Sequence, residues 1–412
     1  MKILHINTSD TAGGAAIAAM RLHNAMLSRG IDSYFFCLNR FITDDNRIIS
    51  VDNKTKFISR SFDVLRRLLF NKIFLSSKKG LFSNMQLGYK IGKFINLNEY
   101  DVIYIHWVNN IFLSLKGLEE ICKTGKKVYW FMHDMFPITG GCHHSFDCTM
   151  YKQSCKTGCP YLKQNNCKHN LSYKQMKLKH KILDKYMNLS FIAPSKWLYE
   201  CTKSSSLAAG HKVYNIQNLL DTCIFRPLNK VFCREILNLS KDKKIILFGA
   251  DSALSNPYKG FDFLVEAINL LYNNKTFNYD DIELVIFGSS YNEIISKKLK
   301  YKTTFMGYLH DEYTISLLYN AADVFCISSI AENYPNTVLE ALHCNTPVVG
   351  FNVGGIPDLV CEKTGYLAKY KDYKDFSNGI MTVLQNNNYD TTLTVKQENI
   401  IDRHIDLWKE KD

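Results

Sequence analysis

Residues 323–358, DVFCISSIAENYPNTVLEALHCNTPVVGFNVGGIPD, constrain the fold of this 412-residue chain more tightly than any other stretch. Val324–Ile327 is a short apolar run, the mark of a buried strand. The polar loop SSIAENY follows, and Pro335 stands where a helix begins, a position at which proline loses no needed hydrogen bond. Val338, Leu339, Ala341 and Leu342 give that helix an apolar side. Pro347–Phe351 is a second strand that runs into Val353-Gly354-Gly355, a flexible turn. Strand, loop, helix, strand, loop is the half-unit of a parallel nucleotide-binding sheet.

The helix start leaves the backbone N–H groups of Asn336, Thr337 and Val338 free to form an anion site. Glu340 lies three and four residues beyond Thr337 and Asn336, so the three share one helix face. A diphosphate on those amides would leave Glu340 beside a ribose, where a carboxylate accepts two hydroxyl hydrogen bonds. Glu332, in the loop, would face the group beyond the phosphates. An ordinary α/β connection with surface glutamates carries the same residues. The spacing points to a ligand because it spans a strand–loop–helix junction with Pro335 and a later glycine pair.

On these residues, Glu332, seven residues, Glu340 and then PVVGFNVGGIPD, the chain resembles the donor-site signature of retaining glycosyltransferases of family four. The likeness runs over nearly the whole chain. It implies an α/β protein of the GT-B fold, with two Rossmann-like domains facing across a cleft and a C-terminal helix crossing back to the first. It places an acceptor-side domain at 1–220, with a Cys-rich insert at 139–169 and the helix 395–412, and a nucleotide-sugar domain at 221–394. In such proteins the first glutamate, here Glu332, addresses the donor sugar and the second, Glu340, the ribose. Lys259, just before a helix at 261–271, matches one of two basic residues that hold the donor diphosphate. The other, an arginine early in that loop, does not appear, and Asp251 and Ser252 occupy its neighbourhood. Gly288 falls where a nucleobase or phosphate approaches, and Gly307-Tyr308 would flank the base. His133 matches the cleft histidine that contacts the donor sugar, and the loop bearing Gly14 faces acceptor and donor phosphates.

The residues themselves say less about the first half. Gly13-Gly14 opens a helix after the strand KILHIN, and serves either a close ligand approach or a tight βα turn. DVIYIHW (101–107) ends on His106, and KVYWFMHDMF (127–136) carries His133-Asp134 at its C-terminal edge, where open α/β sheets bind ligands. Asn109 and Asp134 are the remaining candidates for acceptor hydroxyls. In the segment 60–80, Phe62, Leu65, Leu69 and Ile73 form an apolar stripe among Arg60, Arg66, Arg67, Lys72, Lys78 and Lys79. Such a helix either lies on an anionic membrane surface or packs on its domain with a solvated basic face.

Cys142, Cys148, Cys155, Cys159 and Cys167 crowd a polar, Gly-rich stretch, with His143, His144 and His169 beside them. A loop without its own apolar core gains order from a thiolate zinc clamp, so Cys142, Cys148, Cys155 and Cys159 are candidate ligands of a structural zinc. Free or redox-active thiols and disulfides are the other two readings. A similar Cys-bearing insert occurs in a subset of the resembled family.

Charge is uneven. Residues 1–200 hold 29 Lys+Arg and 14 Asp+Glu, a net of +15; the remainder holds 51 − 29 = 22 and 39 − 14 = 25, a net of −3. A basic half suits a polyanionic partner such as anionic lipid or a phosphorylated acceptor; it equally suits a merely soluble surface. No base-stacking motif accompanies the charge, so nucleic acid is not expected. No apolar run approaches the roughly 20 residues of a membrane span. MKILHINTSD enters a strand at once, without a signal-peptide layout, and the expected location is cytoplasmic, at most peripheral on the inner face of the membrane.

The expected activity is transfer of a hexosyl group from a nucleotide diphosphate sugar to a hydroxyl of a glycan or lipid-linked acceptor, in cell-surface polysaccharide synthesis. Retention follows from the resemblance, and no cofactor is required for catalysis. The competing reading is a non-catalytic sugar- or nucleotide-binding protein, or a zinc-organised interaction protein, on the same fold.

Overall fold

The computed structural model describes residues 1–76, 81–163, 170–249, 256–273, 277–291, 293–309, 311–386, 388–391 and 397–410. The chain divides into two units: residues 1–219 with 398–412, and residues 220–397.

Among the described residues, thirteen strands make two all-parallel sheets. In the first unit they are β1 (Lys2–Ser9), β2 (Asp32–Asn39), β3 (Ile48–Ser50), β4 (Val102–Ile105), β5 (Lys127–Phe131), β6 (Leu189–Ala193) and β7 (Val213–Asn215), ordered β3-β2-β1-β4-β5-β6-β7. In the second they are β8 (Lys244–Gly249), β9 (Ile282–Phe287), β10 (Lys302–Phe305), β11 (Val324–Ile327), β12 (Val348–Phe351) and β13 (Gly365–Ala368), ordered β10-β9-β8-β11-β12-β13. Each order runs outward in both directions from the first strand and its neighbour, the doubly wound Rossmann arrangement. The strand order reverses between β1 and β4 in one unit and between β8 and β11 in the other, and such crevices are where open α/β sheets take ligands.

The strands read as unbroken apolar runs because helices cover both faces of a parallel sheet. β4, β9, β11 and β12 are buried along their whole length. Each leucine or isoleucine so buried contributes roughly 1.5–3 kcal/mol. The helix Gln397–Lys409 packs on the first unit: Tyr129 Oη donates to the Leu407 carbonyl at 2.9 Å, and Trp408 Nε1 donates to Tyr104 Oη at 2.9 Å.

The helix Asn53–Phe74 is turned inside out. Its expected apolar stripe faces solvent, with Phe62, Leu65, Leu69 and Ile73 each at least half exposed, and Phe57 and Val64 exposed beside them. The face it turns inward carries Ser59 and Asp63, and Ser59 Oγ reaches the Ile111 carbonyl at 3.4 Å. Lys78 and Lys79 of the same expected segment lie outside the described residues.

Candidate active site

In the second unit, the loop after β11 and the turn after β8 are built into one another. Ser328 Oγ donates to the Lys259 carbonyl at 2.9 Å, and the Ile330 N–H donates to the Tyr258 carbonyl at 2.7 Å. Gly260 sits at φ +60°, and a Cβ there would stand 2.0 Å from the Ser328 carbonyl oxygen. Gly354, at φ +57°, is bound as tightly: its Cβ would stand 1.8 Å from the Glu332 carbonyl oxygen. The glycine pair expected as a flexible turn therefore clamps the Glu332 loop, and the Gly355 N–H bonds that carbonyl at 3.3 Å.

These contacts aim two side chains at each other. Lys259 Nζ lies 2.9 Å from Glu332 Oε1, so the lysine expected to meet phosphate meets a carboxylate in this structure. The lysine side chain keeps 40 % of its surface exposed against 16 % for the glutamate, which leaves the ammonium reachable by a second anion. The loop that would carry the missing arginine lies outside the described residues.

The helix Asn336–His343 begins at Pro335 without a side-chain cap. Its first turn is tightened, because the Pro335 carbonyl accepts from both Val338 and Leu339 at 3.2 Å. Val338 is thereby corrected: its N–H is spent within the helix, and the side chain is fully buried. Asn336 and Thr337 remain half-buried at the helix start. Glu340 is 5 % exposed, and Tyr319 Oη donates to its Oε2 at 3.2 Å. A carboxylate so deep beneath a helix start is costly unless hydrogen-bond donors complete its shell. Gly288, at φ +76°, donates its N–H to the Gly307 carbonyl at 2.7 Å, which ties the end of β9 to the turn after β10.

In the first unit, the helix Gly14–Ser28 starts from Gly13 at φ +89°, a conformation that glycine takes at no steric cost, and Gly14 is exposed. Across the β1–β4 switch point, Asn109 is buried, and its Oδ1 has no hydrogen-bond partner among the described residues. The next two residues, Asn110 and Ile111, both have positive φ, 58° and 59°. A β-branched residue in that region is a strained exception, and such strain gathers at binding loops.

Asp134 departs from the expected role of an acceptor contact. Its Oδ2 accepts from Trp107 Nε1 at 3.1 Å and pairs with His143 Nδ1 at 2.5 Å, while Oδ1 accepts the Phe136 N–H at 2.8 Å. Burial pushes this carboxyl upward, but His143 and the Phe136 amide outweigh it and hold the pKa below its ordinary value. The aspartate thus braces Trp107 and His143, with three of its roughly four acceptor sites in use.

His133 is half-buried at the end of β5, and burial draws its pKa down to about 4 against the pull of Asp134. Its Nε2 lies 3.1 Å from His106 Nδ1, and His106 Nε2 lies 3.0 Å from His5 Nδ1. Sequence reasoning singled out His133 and noted His106 at a strand end, but not His5, which occupies an apolar strand. The signal that unites them is strand order, since β1 and β4 pair with His5 opposite Tyr104.

The Cys-rich stretch closes on a small cavity of about 10 Å³, room for about one water-sized sphere. Cys142, Cys148, Cys155 and Cys159 all line it, with Tyr151, Tyr161 and Ser172. Every described cysteine is a free thiol, and burial pushes the Cys142, Cys155 and Cys159 thiols up. No three His, Cys, Asp or Glu side chains among the described residues are placed to hold a metal ion. Cys167 and His169 lie outside the described residues.

Residues 243–386 match the family model described as glycosyl transferases group 1. Two doubly wound parallel domains give the chain the α/β fold of its GT-B structural neighbours, and the family match falls on the second. Two of the relatives span 85% or more of the chain. An uncharacterized glycosyltransferase of Haemophilus influenzae is 21% identical, over 97% of this chain and 96% of its own. WcaC of Escherichia coli, named for a colanic acid biosynthesis glycosyl transferase, is 23% identical over 85% of this chain and 82% of its own. Among solved structures, Anabaena HepE in complex with UDP and glucose superposes with a TM-score of 0.61 at 15% identity, covering 100% of both chains.

Proposed function

We propose that this glycosyltransferase moves a hexosyl group from a nucleoside diphosphate sugar to a hydroxyl of a glycan or lipid-linked acceptor, with retention, in cell-surface polysaccharide synthesis. The observation that carries the reading is Glu340, almost wholly buried under the start of the helix Asn336–His343, beside a loop locked to Lys259. In this reading the half-buried start at Asn336 and Thr337 takes the diphosphate, and Glu340 takes the ribose hydroxyls. Lys259 leaves Glu332 for the phosphates, which frees the Glu332 carboxylate for sugar hydroxyls. The bond from the anomeric carbon to the β-phosphate oxygen breaks. The acceptor oxygen bonds that carbon on the same face, and its proton passes to the leaving phosphate. Lys259 and the helix dipole stabilise the leaving charge. The HepE complex with UDP and glucose and the WcaC name support donor class and pathway type.

A thermal-shift screen of nucleotide sugars, followed by transfer assays with the best binder, tests the reading, because a ligand that binds only the folded state raises Tm. Stabilisation by one nucleotide sugar and release of its nucleoside diphosphate on acceptor addition are expected. Binding without turnover favours the non-catalytic alternative, and no binding overturns both.

The exposed apolar stripe of Asn53–Phe74, with Lys54, Lys56 and Arg60 on the same helix, supports peripheral attachment to an anionic membrane from the cytoplasmic side. No described helix is long and apolar enough to cross a membrane. A structural zinc on Cys142, Cys148, Cys155 and Cys159 is part of the same proposal. Four thiols around one atom-sized cavity favour it, though they must draw together to bind the ion. Metal analysis of purified protein should find about one zinc per chain, and metal-free protein with full activity sinks the idea.

A further inference from the structure

The hydrogen-bonded imidazoles behind His133 end on an atom that can only accept. His5 Nε2 lies 3.3 Å from the sulfur of Met26, which has no hydrogen to give. His5 and His106 are fully buried or nearly so, and burial lowers both pKa values, so each ring is neutral and carries one N–H. If His5 Nε2 bears that hydrogen, its Nδ1 must accept from His106 Nε2. His106 Nδ1 must then accept from His133 Nε2, and His133 Nδ1 is left bare. The reverse chain would set a lone pair of His5 against the lone pairs of sulfur and forfeit a buried hydrogen bond.

We propose that Met26, His5 and His106 are positioning residues that fix the tautomer of His133, so that its Nδ1 is a hydrogen-bond acceptor reserved for a hydroxyl of the bound ligand. Among the described residues this nitrogen has no hydrogen-bond partner, and the ring that bears it is half-buried at the strand end rather than sealed in the core. The ring packs against both Phe131 and His106, with centroids 5.3 and 5.4 Å away. A bare ring nitrogen accepts from a sugar hydroxyl and repels a phosphate oxygen, so this end of the site selects the glycosyl part of a ligand. That ligand role rests on the proposed function; the tautomer does not.

The test is long-range 1H–15N correlation on ligand-free, 15N-histidine-labelled protein, with His133 assigned by its loss in His133→Gln. The expected spectrum shows His133 with a pyridine-type Nδ1 and a pyrrole-type Nε2. Met26→Leu keeps the volume and removes the acceptor, and should move both His133 nitrogens toward a tautomer mixture. His5→Phe, which removes the inner link, should do the same should the first variant fold poorly. With UDP-glucose as probe, Met26→Leu should raise KM about two- to tenfold while Tm stays near wild type. A protonated Nδ1 in the wild type, or spectra unchanged by both variants, overturns the proposal. A silent assay with UDP-glucose and with every other nucleotide sugar of the thermal-shift screen, beside the expected spectra, overturns only the functional reading beneath the ligand role.

Discussion

Glu340 and Lys259 separate two kinds of work at the residue scale. Glu340 is held before any ligand arrives, by burial and the Tyr319 hydroxyl. Lys259 is held by Glu332 and must be traded to phosphate. Glu340→Ala should therefore raise the donor Kd about ten- to a hundredfold, the worth of hydrogen bonds to a charged group. Lys259→Ala should lower kcat more than it weakens binding, because its contact matters most as charge builds on the leaving phosphate. Calorimetry with the preferred nucleotide sugar, beside steady-state rates, separates the two; wild-type values in both variants would defeat the assignment. Both residues were legible in the sequence, since a strand–loop–helix junction fixes where a residue falls along a helix. Val338 and Asp134 were legible only as positions. Whether an amide or carboxylate is free depends on which neighbour has already taken it, and neighbours come from the fold.

At the scale of elements, the helix Asn53–Phe74 shows how a correct pattern can face an unexpected way. Periodicity predicts an apolar stripe and cannot say which side of the helix meets the protein. Here Ser59 and Asp63 face inward and Phe62, Leu65 and Leu69 face out. Sedimentation with anionic phosphatidylglycerol vesicles should carry the wild-type protein down, and much less of it at high salt or on neutral vesicles. Phe62→Ser with Leu65→Ser should cut vesicle binding several-fold without lowering Tm, because neither side chain is part of the core. A fall in Tm with binding intact would assign the stripe to packing. The glycine turn after β12 is the converse case. Gly354-Gly355 was legible as a turn, while the need for glycine comes from the Glu332 carbonyl, a contact that local sequence does not reveal.

For the whole molecule, the first unit stores titratable groups in its core. His5, His23, His106, His133 and His404 all have pKa values lowered chiefly by burial, to about 4 for His23 and His133 and about 3 for His404. Each is neutral when folded and takes a proton near pH 6.5 when unfolded. Between those values the unfolded chain binds more protons, so stability rises with pH through this window and is lost as pH falls below about 6.5 toward 4. Urea midpoints should drop steeply between pH 7 and pH 5, and an unchanged midpoint would mean that these rings are not buried neutral. The sequence alone determined the doubly wound α/β class, the β11–β12 junction and the helix that bears Glu340. Short-range periodicity and turn chemistry suffice for these. Only tertiary structure decided that His5, His106 and His133 touch, that four cysteines share one cavity and that Lys259 pairs with Glu332. Those contacts join residues up to about a hundred positions apart, and strand order, which no local pattern encodes, brings them together.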